Sequence, residues 1–266
     1  MYNIWLLSPL NFFAFKILTN EICVIETIYL YFGEHYTAQT SVTKCIYEVK
    51  IIKHMEHYDV LYADNRYKTI DPIKTLFKLY MNEIYNIKNY YLFHGAAIEL
   101  NKKTILLLGH THMGKSTLTA YILKMGGAYL TDDCVMISNK SIMVCPFTLP
   151  IHLRKGGVEL LSTYFDDFNK YIRKLKFTDR YIYNDQSNCN TSRKIHAVVF
   201  ITLDSIKNSM VPLNNVESFL QLTLSACIPY DLTNHYLDFI SKLSMLPSYK
   251  VKYGKLENLY ELLLDL

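Results

Sequence analysis

The sequence predicts an α/β fold in which a smaller, mainly β N-terminal domain, residues 1–88, precedes an α/β domain, residues 89–266. Two observations predict this class. In the second region an apolar run, TILLL, leads into a glycine-containing turn, and a helical segment follows the turn directly. The first region instead carries short runs rich in β-branched and aromatic residues, which favour strands.

The composition is that of a globular protein. Hydrophobic residues make up 50% of the chain and charged residues 20%, which is too apolar for a disordered sequence. The formal net charge of +4, from 28 basic and 24 acidic residues, is too mild to indicate a nucleic-acid-binding protein. No uninterrupted run of about 18 apolar residues occurs, so we expect no membrane span.

The cysteine pattern predicts free thiols in a reducing compartment. No two cysteines have the C-x-x-C spacing, so a zinc site is not expected. The apolar N-terminal segment contains Pro9 and Asn11 and has no basic start, unlike an ordinary secretory signal. We therefore expect a cytoplasmic protein. The cysteines are Cys23, Cys45, Cys134, Cys145, Cys189 and Cys227.

The N-terminal region is predicted to contain short strands and one closing helix. Residues 22–32 and 45–55 read as strands, with turns at Gly33-Glu34 and Asp64-Asn65. A helix is predicted from residue 71, where Asp71 can cap the N-terminus and Pro72 occupies the first helical position. The apolar residues of this helix fall at helical spacing: Ile73, Leu76, Phe77, Tyr80 and Ile84.

The second region is predicted to alternate strands and helices. Its predicted strands are residues 90–100, 102–109, 128–133, 134–138, 194–204 and 249–253. Its predicted helices are residues 115–126, 215–226, 233–246 and 256–266.

Residues 109–116, GHTHMGKS, match the pattern G-x-x-x-x-G-K-[ST], which indicates a phosphate-binding loop. Glycines let the backbone curl so that successive N–H groups point at one anion, and the helix N-terminus attracts that anion. Lys115 would reach the β- and γ-phosphates, and the Ser116 hydroxyl would bind Mg²⁺. The alternative is an accidental glycine-rich turn. The predicted ATP-binding residues are Gly109, His110, Thr111, His112, Met113, Gly114, Lys115, Ser116 and Thr117.

Two adjacent aspartates, Asp132 and Asp133, stand at the end of the next predicted strand. Asp132 lies 16 residues beyond Ser116. In a parallel sheet the carboxyl end of that strand would open beside the phosphate loop. One aspartate there can hold Mg²⁺, and the other can accept the proton of a hydroxyl nucleophile. A surface turn with two solvated acids is the alternative.

Residues 93–137 resemble the core of the HPr kinase/phosphorylase family and its shorter relatives. The resemblance lies in three landmarks in register: His94-Gly95, the phosphate loop from Gly109, and Asp132-Asp133. It implies a P-loop kinase domain of the HPr kinase/phosphoenolpyruvate carboxykinase type. It is strong for residues 93–137, extends weakly over about residues 90–205, and does not cover the N-terminal 88 residues.

The resemblance implies roles for individual residues. Asp133 matches the general base, His94 the active-site histidine beside it, and Asp132 the neighbour of that base. We assign Asp132 to the metal because an aspartate at this strand end can hold Mg²⁺. Lys115 and Ser116 match the phosphate and Mg²⁺ contacts. Without the resemblance, His94 reads as a core histidine.

Beyond residue 140 the match thins. His152 stands where the family has a metal-binding glutamate, with Glu159 as a substitute, and Arg154 stands in register with an arginine of the same segment. Arg180 loosely matches a phosphate-contacting arginine. Arg193 matches an arginine of the segment for the phosphorylase reaction, but the neighbouring glycine and proline are missing, so we predict no phosphorylase activity.

The implied activity is ATP- and Mg²⁺-dependent phosphorylation of a serine in a protein or peptide substrate. Shorter relatives modify ribosomally made precursor peptides, and the size of this chain is similar to theirs. The resemblance leaves a homo-oligomer open. Two alternatives stay open as well: a small-molecule or carboxykinase-like enzyme on the same scaffold, and an ATP-binding regulatory module without turnover.

Overall fold

A computed structural model describes residues 1–37, 45–183, 191–204, 208–227 and 233–266. These residues form a mixed α/β structure with several sheets and seven α-helices. Five described cysteines carry free thiols, and Cys189 lies outside the described residues. No described helix is long and apolar enough to cross a membrane.

The strands, in chain order, are β1 (Tyr2–Leu7), β2 (Ala14–Thr19), β3 (Tyr36–Thr37), β4 (Ile46–Lys53), β5 (Tyr58–Tyr62), β6 (Asn65–Thr69), β7 (Tyr90–Phe93), β8 (Gly95–Leu100), β9 (Lys103–Leu108), β10 (Ala128–Thr131), β11 (Val135–Ser138), β12 (Met143–Cys145), β13 (Ile151–Arg154), β14 (Ile172–Lys174), β15 (Arg180–Tyr183), β16 (Arg193–Leu203), β17 (Ser209–Pro212) and β18 (Ser248–Tyr253). The helices are α1 (Ile22–Phe32), α2 (Pro72–Tyr85), α3 (Lys115–Lys124), α4 (Lys155–Tyr164), α5 (Asn215–Leu224), α6 (Asn234–Ser244) and α7 (Leu256–Leu264).

The chain divides into two compact units. Unit 1 consists of residues 1–88 and 170–184, and unit 2 of residues 89–169 and 185–266. Residues 170–184 lie within the range 89–266 that is predicted as the second domain. They belong to unit 1, where β14 and β15 pair with each other and the Phe177 ring packs edge-on against Tyr58 of β5. The composition of so short a segment does not differ enough from that of its neighbours to predict which unit it joins.

Unit 1 is built on a six-stranded sheet with the order β3-β1-β2-β4-β5-β6. Its strands are antiparallel except for the pair β2–β4. Helices α1 and α2 pack on this sheet and on each other. The core is rich in aromatic rings, and the buried Tyr80 of α2 donates its hydroxyl proton to the Leu7 carbonyl at 2.7 Å.

Residues 22–32 form helix α1, so the strand predicted there is wrong. Because β2 and β4 are parallel, the chain must cross over between them, and such a connection is usually helical. The buried residues Val24, Ile28 and Phe32 recur every four positions and place one face of the helix on the core. The β-branched and aromatic content of the segment concealed this helical spacing.

The other predicted elements of unit 1 are confirmed. Strand β4 covers most of residues 45–55, and helix α2 begins with Pro72 after the Asp71 cap. The Asp71 carboxylate accepts a hydrogen bond from the Lys74 backbone N–H at 2.9 Å, which satisfies one free N–H group of the first turn.

Unit 2 is built on a larger sheet with the order β10-β8-β9-β16-β12-β11-β7, to which β18 adds beside β16 and β17 beside β18. Strands β9, β16 and β18 are parallel and form its centre. Buried apolar side chains of β9 and β16 meet those of α6 in the core, including Leu106, Val198, Phe239 and Ile240. Helix α3 packs against β8, β10 and β13 and against helices α4 and α7.

Residues 90–100 were predicted as one strand but form two, β7 and β8, with His94 at the break between them. Strand β7 pairs with β11, whereas β8 pairs with β9 and β10. The His94 backbone N–H donates to the Ser225 carbonyl at 2.9 Å instead of joining either ladder. The chain therefore switches partners at His94 and leaves its side chain at a sheet end.

Strand β10 does not lie next to β9, as a simple parallel arrangement would require, because β8 lies between them. Both pairings of β8 are antiparallel, so β9 and β10 still run in the same direction. The residues after β9, the residues after β10 and the residue before β8 therefore all lie at one end of the sheet. This topology brings together the phosphate loop, Asp132-Asp133 and His94.

Candidate functional site

The predicted phosphate loop connects the buried strand β9 to helix α3. At Gly109 the backbone φ is +153°, and a Cβ atom there would lie 2.6 Å from the Ile201 carbonyl oxygen. At Gly114 φ is +77°, in the left-handed region that favours glycine. The glycines of the motif thus stand at the two positions where the backbone geometry requires them.

Tyr253 of β18 supports the loop from the side, and no pattern in the sequence pointed to it. Its hydroxyl donates to the Met113 carbonyl at 2.6 Å and lies where a side chain at Gly114 would have to stand. Tyr253 is only 2% exposed, and burial raises the pKa of its hydroxyl to about 12. Met113 makes a second contact, since its sulfur accepts from the Leu203 backbone N–H at 3.4 Å.

Lys115 is the first residue of α3, and its side chain turns back into the loop. Its ammonium group lies 2.8 Å from the Gly109 carbonyl, 3.0 Å from the His110 carbonyl and 3.2 Å from His94 Nε2. All three N–H donors are therefore engaged. Burial lowers the pKa of Lys115, and the negative charges of Asp132 and Asp133 partly oppose this effect.

His94 connects Lys115 to the aspartate turn. Its Nδ1 lies 3.1 Å from the Asp133 main-chain carbonyl, which only accepts hydrogen bonds, so this nitrogen carries the ring proton. Nε2 is then free to accept from the Lys115 ammonium group. Burial and the charge of Lys115 lower the pKa of His94, which favours this neutral form. The predicted contact thus reaches the main chain of Asp133 and holds the turn in place.

Asp133 occupies a strained turn. Its φ is +68°, and the Cys134 N–H donates to the Asp132 carbonyl at 2.8 Å, so the three residues form a γ-turn of the less common, positive-φ type. The side chain of Asp133 is exposed. A non-glycine residue held in such a conformation is typical of functional sites.

Asp132 is buried, with 4% of its surface exposed. Burial, followed by repulsion from Asp133, raises the pKa of Asp132 to about 7, although a hydrogen bond from the Ser116 hydroxyl opposes the shift. Its Oδ1 atom has no hydrogen-bond partner within the described part of the chain. A buried carboxylate oxygen without a partner calls for a cation or a water molecule.

These residues fit a nucleoside triphosphate with Mg²⁺. The loop supplies main-chain N–H groups at a helix N-terminus, and Lys115 supplies a buried cation. Asp132 and Ser116 supply oxygen ligands of the kind that Mg²⁺ prefers, side by side and with one oxygen still unsatisfied.

The remaining loop residues are more open to solvent. His110, Thr111 and His112 are exposed, and His112 has φ +72°. The Arg154 guanidinium, at the end of β13, donates to His112 Nδ1 at 3.0 Å and so places a positive charge beside the loop. Thr117 lies farther along α3, where its hydroxyl would be 2.9 Å from a Cβ atom at Gly157 of α4.

The other residues implied by the family resemblance belong to several different elements. Arg180 begins β15 in unit 1, whereas the phosphate loop belongs to unit 2. Glu159 is exposed on α4 beside Lys155, at 3.6 Å, and His152 is half-buried in β13. Arg193 forms an ion pair with Glu99 at 2.9 Å.

A cleft of about 370 Å³ opens beside the loop and reaches residues that the sequence analysis did not single out. His94 and Thr111 lie at its loop side, and the end of α5 closes the other side with Gln221, Leu224 and Ser225. Lys250 of β18 contributes a cation. The cleft has both polar and apolar walls, as expected of a site that admits a second molecule beside a phosphate.

Comparisons with known proteins found distant structural similarity. No family model matches the sequence, and no curated protein matches it. Among solved structures, the chain is similar to the Hpr(Ser) kinase/phosphatase from Coxiella burnetii, at 13% identity and a TM-score of 0.34, over 65% of this chain and 91% of that one. A likeness at this level carries no conclusion about activity, which therefore has to be argued from the residues of the site.

Proposed function

We propose that this chain is an ATP-dependent kinase that phosphorylates a hydroxyl group, namely that of a serine in a protein or peptide. One observation supports this above all others. The ammonium group of Lys115 is hydrogen-bonded to His94, and His94 is hydrogen-bonded to the turn that carries Asp133. A single imidazole thus links the cation that would bind phosphate to the main chain of the residue that carries the exposed carboxylate.

The binding roles follow from where each group lies. The main chain of residues 109–117 and Lys115 hold the triphosphate, and Arg154 adds charge at the rim of the loop. Ser116 and the buried Asp132 hold Mg²⁺. When bound, ATP supplies the phosphoryl group, and the metal neutralises its oxygens.

The chemical roles belong to Asp133 and its neighbours. The Asp133 carboxylate accepts the proton of the incoming hydroxyl as general base. His94 is a positioning residue, because its Nδ1–H holds the Asp133 carbonyl and thereby the strained turn. Lys115 exchanges its contacts with the loop carbonyls for phosphate oxygens and stabilises the charge there.

The acceptor class is drawn from the family resemblance, whereas the phosphate site is argued from this chain. The experiment therefore has to separate the two. The full chain is incubated with γ-labelled ATP and Mg²⁺ together with serine-containing peptides, or with small hydroxyl metabolites. Label on peptide serine supports the proposal, label on a metabolite supports the alternative small-molecule kinase, and bound ATP without transfer supports a regulatory module.

Asp133→Asn sharpens the assignment of the base. Asparagine keeps the size of the side chain and tolerates positive φ, so the turn should persist while proton acceptance is lost. We expect transfer to fall by about 100-fold or more with ATP affinity retained, as measured by labelling and by equilibrium binding. The matched control is Asp265→Asn, an exposed residue at the end of α7. Wild-type transfer by Asp133→Asn would refute this role.

A further inference from the structure

A group of metal-ligating side chains lies in unit 1, at the turn between β4 and β5. The segment HMEHYD spans residues 54–59 and contains His54, His57 and Asp59. The His54 backbone N–H donates to the His57 carbonyl at 2.8 Å and closes the hairpin. This closure stacks the two imidazole rings, with centroids 4.9 Å apart and planes 19° apart.

The carboxylate of Asp59 faces both imidazoles. Its Oδ2 lies 2.6 Å from His54 Nε2, and its Oδ1 lies 3.9 Å from His57 Nε2. All three potential ligand atoms lie within 4.8 Å of one another. Two imidazoles and a carboxylate therefore lie close enough to share one ion. The tight hairpin is what brings them together.

Asp59 provides an independent observation, because one of its buried carboxylate oxygens has no hydrogen-bond partner in the described part of the chain. It is 3% exposed, and its Oδ1 atom is buried without a hydrogen-bond partner in the described ranges. Its other oxygen, Oδ2, accepts from the Arg66 guanidinium at 2.6 Å.

We propose that His54, His57 and Asp59 form a binding site for a divalent transition metal ion of the zinc class. Zinc is commonly held by imidazole nitrogen and carboxylate oxygen at about 2.0–2.2 Å, and Mg²⁺ by oxygen alone. The ligands are His54 Nε2, His57 Nε2 and Asp59 Oδ1. To bind the ion, His54 Nε2 releases its proton and its 2.6 Å contact with Asp59 Oδ2, and the His57 side chain, which is 25% exposed, turns toward the same ion.

The surroundings suit a three-ligand site. Arg66 holds the Asp59 oxygen that does not bind the ion, which is the usual role of an outer partner of a metal-binding carboxylate. The His54 side chain is 43% exposed, so an ion can reach the site from solvent. The cysteine spacing, which predicts no zinc site, carries no information about histidines on a hairpin.

The test is a metal titration of the full chain after treatment with a chelator. Zn²⁺ is added in competition with a chromogenic chelator, and Co²⁺ is added separately to record its visible absorption bands. We expect one ion per chain with both His54→Gln and His57→Gln weakening binding by more than tenfold. Arg66→Gln should weaken it by about tenfold through loss of the outer contact.

His235→Gln is the matched control, because His235 is an exposed histidine on α6 in unit 2. A second readout guards against misfolding: Zn²⁺ should raise the Tm of the wild type and of His235→Gln but not that of His57→Gln. Absence of Zn²⁺ uptake overturns the proposal. So does uptake with equal affinity in the wild type and in His57→Gln, which would place the ion elsewhere.

Discussion

The two units each bury an aspartate, and the two carboxyl groups behave in opposite ways. Asp132 in unit 2 and Asp59 in unit 1 are 4% and 3% exposed. Burial raises the pKa of Asp132 to about 7, whereas Arg66 holds that of Asp59 below its ordinary value. Similar exposure of the side chains thus accompanies opposite pKa shifts: desolvation dominates at Asp132, and the hydrogen bond from Arg66 dominates at Asp59.

A bound metal ion would affect the charges of Asp59 and Asp132 differently. Asp59 is already compensated on one oxygen, so a bound ion would complete an existing arrangement. Asp132 accepts from the Ser116 hydroxyl but contacts no guanidinium or ammonium group directly among the described hydrogen bonds and ion pairs. An ion there would supply the charge that makes ionisation favourable, so binding at unit 2 should be linked to release of a proton.

The largest effect should come from Lys115→Ala, which should impair the site in unit 2 and leave the metal site in unit 1 unchanged. Loss of the buried cation removes a phosphate contact and leaves the loop carbonyls and His94 without their donor. We expect transfer from labelled ATP to fall by more than about 100-fold. Zn²⁺ affinity should be unchanged, because the hairpin site belongs to unit 1. Lys140→Ala, an exposed lysine after β11, is the control, and retained transfer by Lys115→Ala would contradict the proposed function.

A smaller effect should appear in the pH dependence of Mg²⁺–ATP binding. A carboxyl group with a pKa of about 7 is protonated below that pH and must lose its proton to hold Mg²⁺. Affinity should therefore rise by roughly tenfold between pH 6 and pH 8. ATP itself titrates nearby, so Asp132→Asn serves as the reference and should lack this component. Parallel pH profiles for the two proteins would refute the metal role of Asp132.

The smallest effect should come from Tyr253→Phe. The substitution removes the hydrogen bond to the Met113 carbonyl while the ring still fills its place beside Gly114. We expect a loss of about 1 kcal/mol in the free energy of unfolding and a Tm lower by about 2–4 °C. ATP affinity should fall by only a few-fold. Tyr2→Phe, at an exposed tyrosine of unit 1, is the control, and a loss of all ATP binding by Tyr253→Phe would show that the loop depends on this one bond.

Much of unit 2 could be predicted from the sequence because its signals are local. The loop glycines, the preceding apolar strand and the following helix are neighbours in the chain, and the elements at residues 103–124 follow the expected order. Helix α1 was missed because β-branched content was given more weight than the spacing of Val24, Ile28 and Phe32. Only the parallel pairing of β2 and β4, a long-range feature, decides between the two interpretations.

The geometry of the site depends on such long-range features as well. The insertion of β8 between β9 and β10 cannot be read from any single segment, and it is what brings His94 between Lys115 and Asp133. Tyr253 reaches the loop from 140 residues away. His54 and His57 differ from these residues because they are close in sequence. Even so, their side chains come together only if the turn between β4 and β5 is tight.

The positive φ of Asp133 limits how this site can change over evolutionary time. Asparagine and glycine adopt that conformation readily, whereas a β-branched residue would distort the γ-turn and disturb the contact with His94. Under the proposed function, replacement of Asp133 by asparagine or glycine would therefore remove turnover and leave the domain intact. A related protein that binds nucleotide without consuming it would then differ from this one by a single substitution at Asp133.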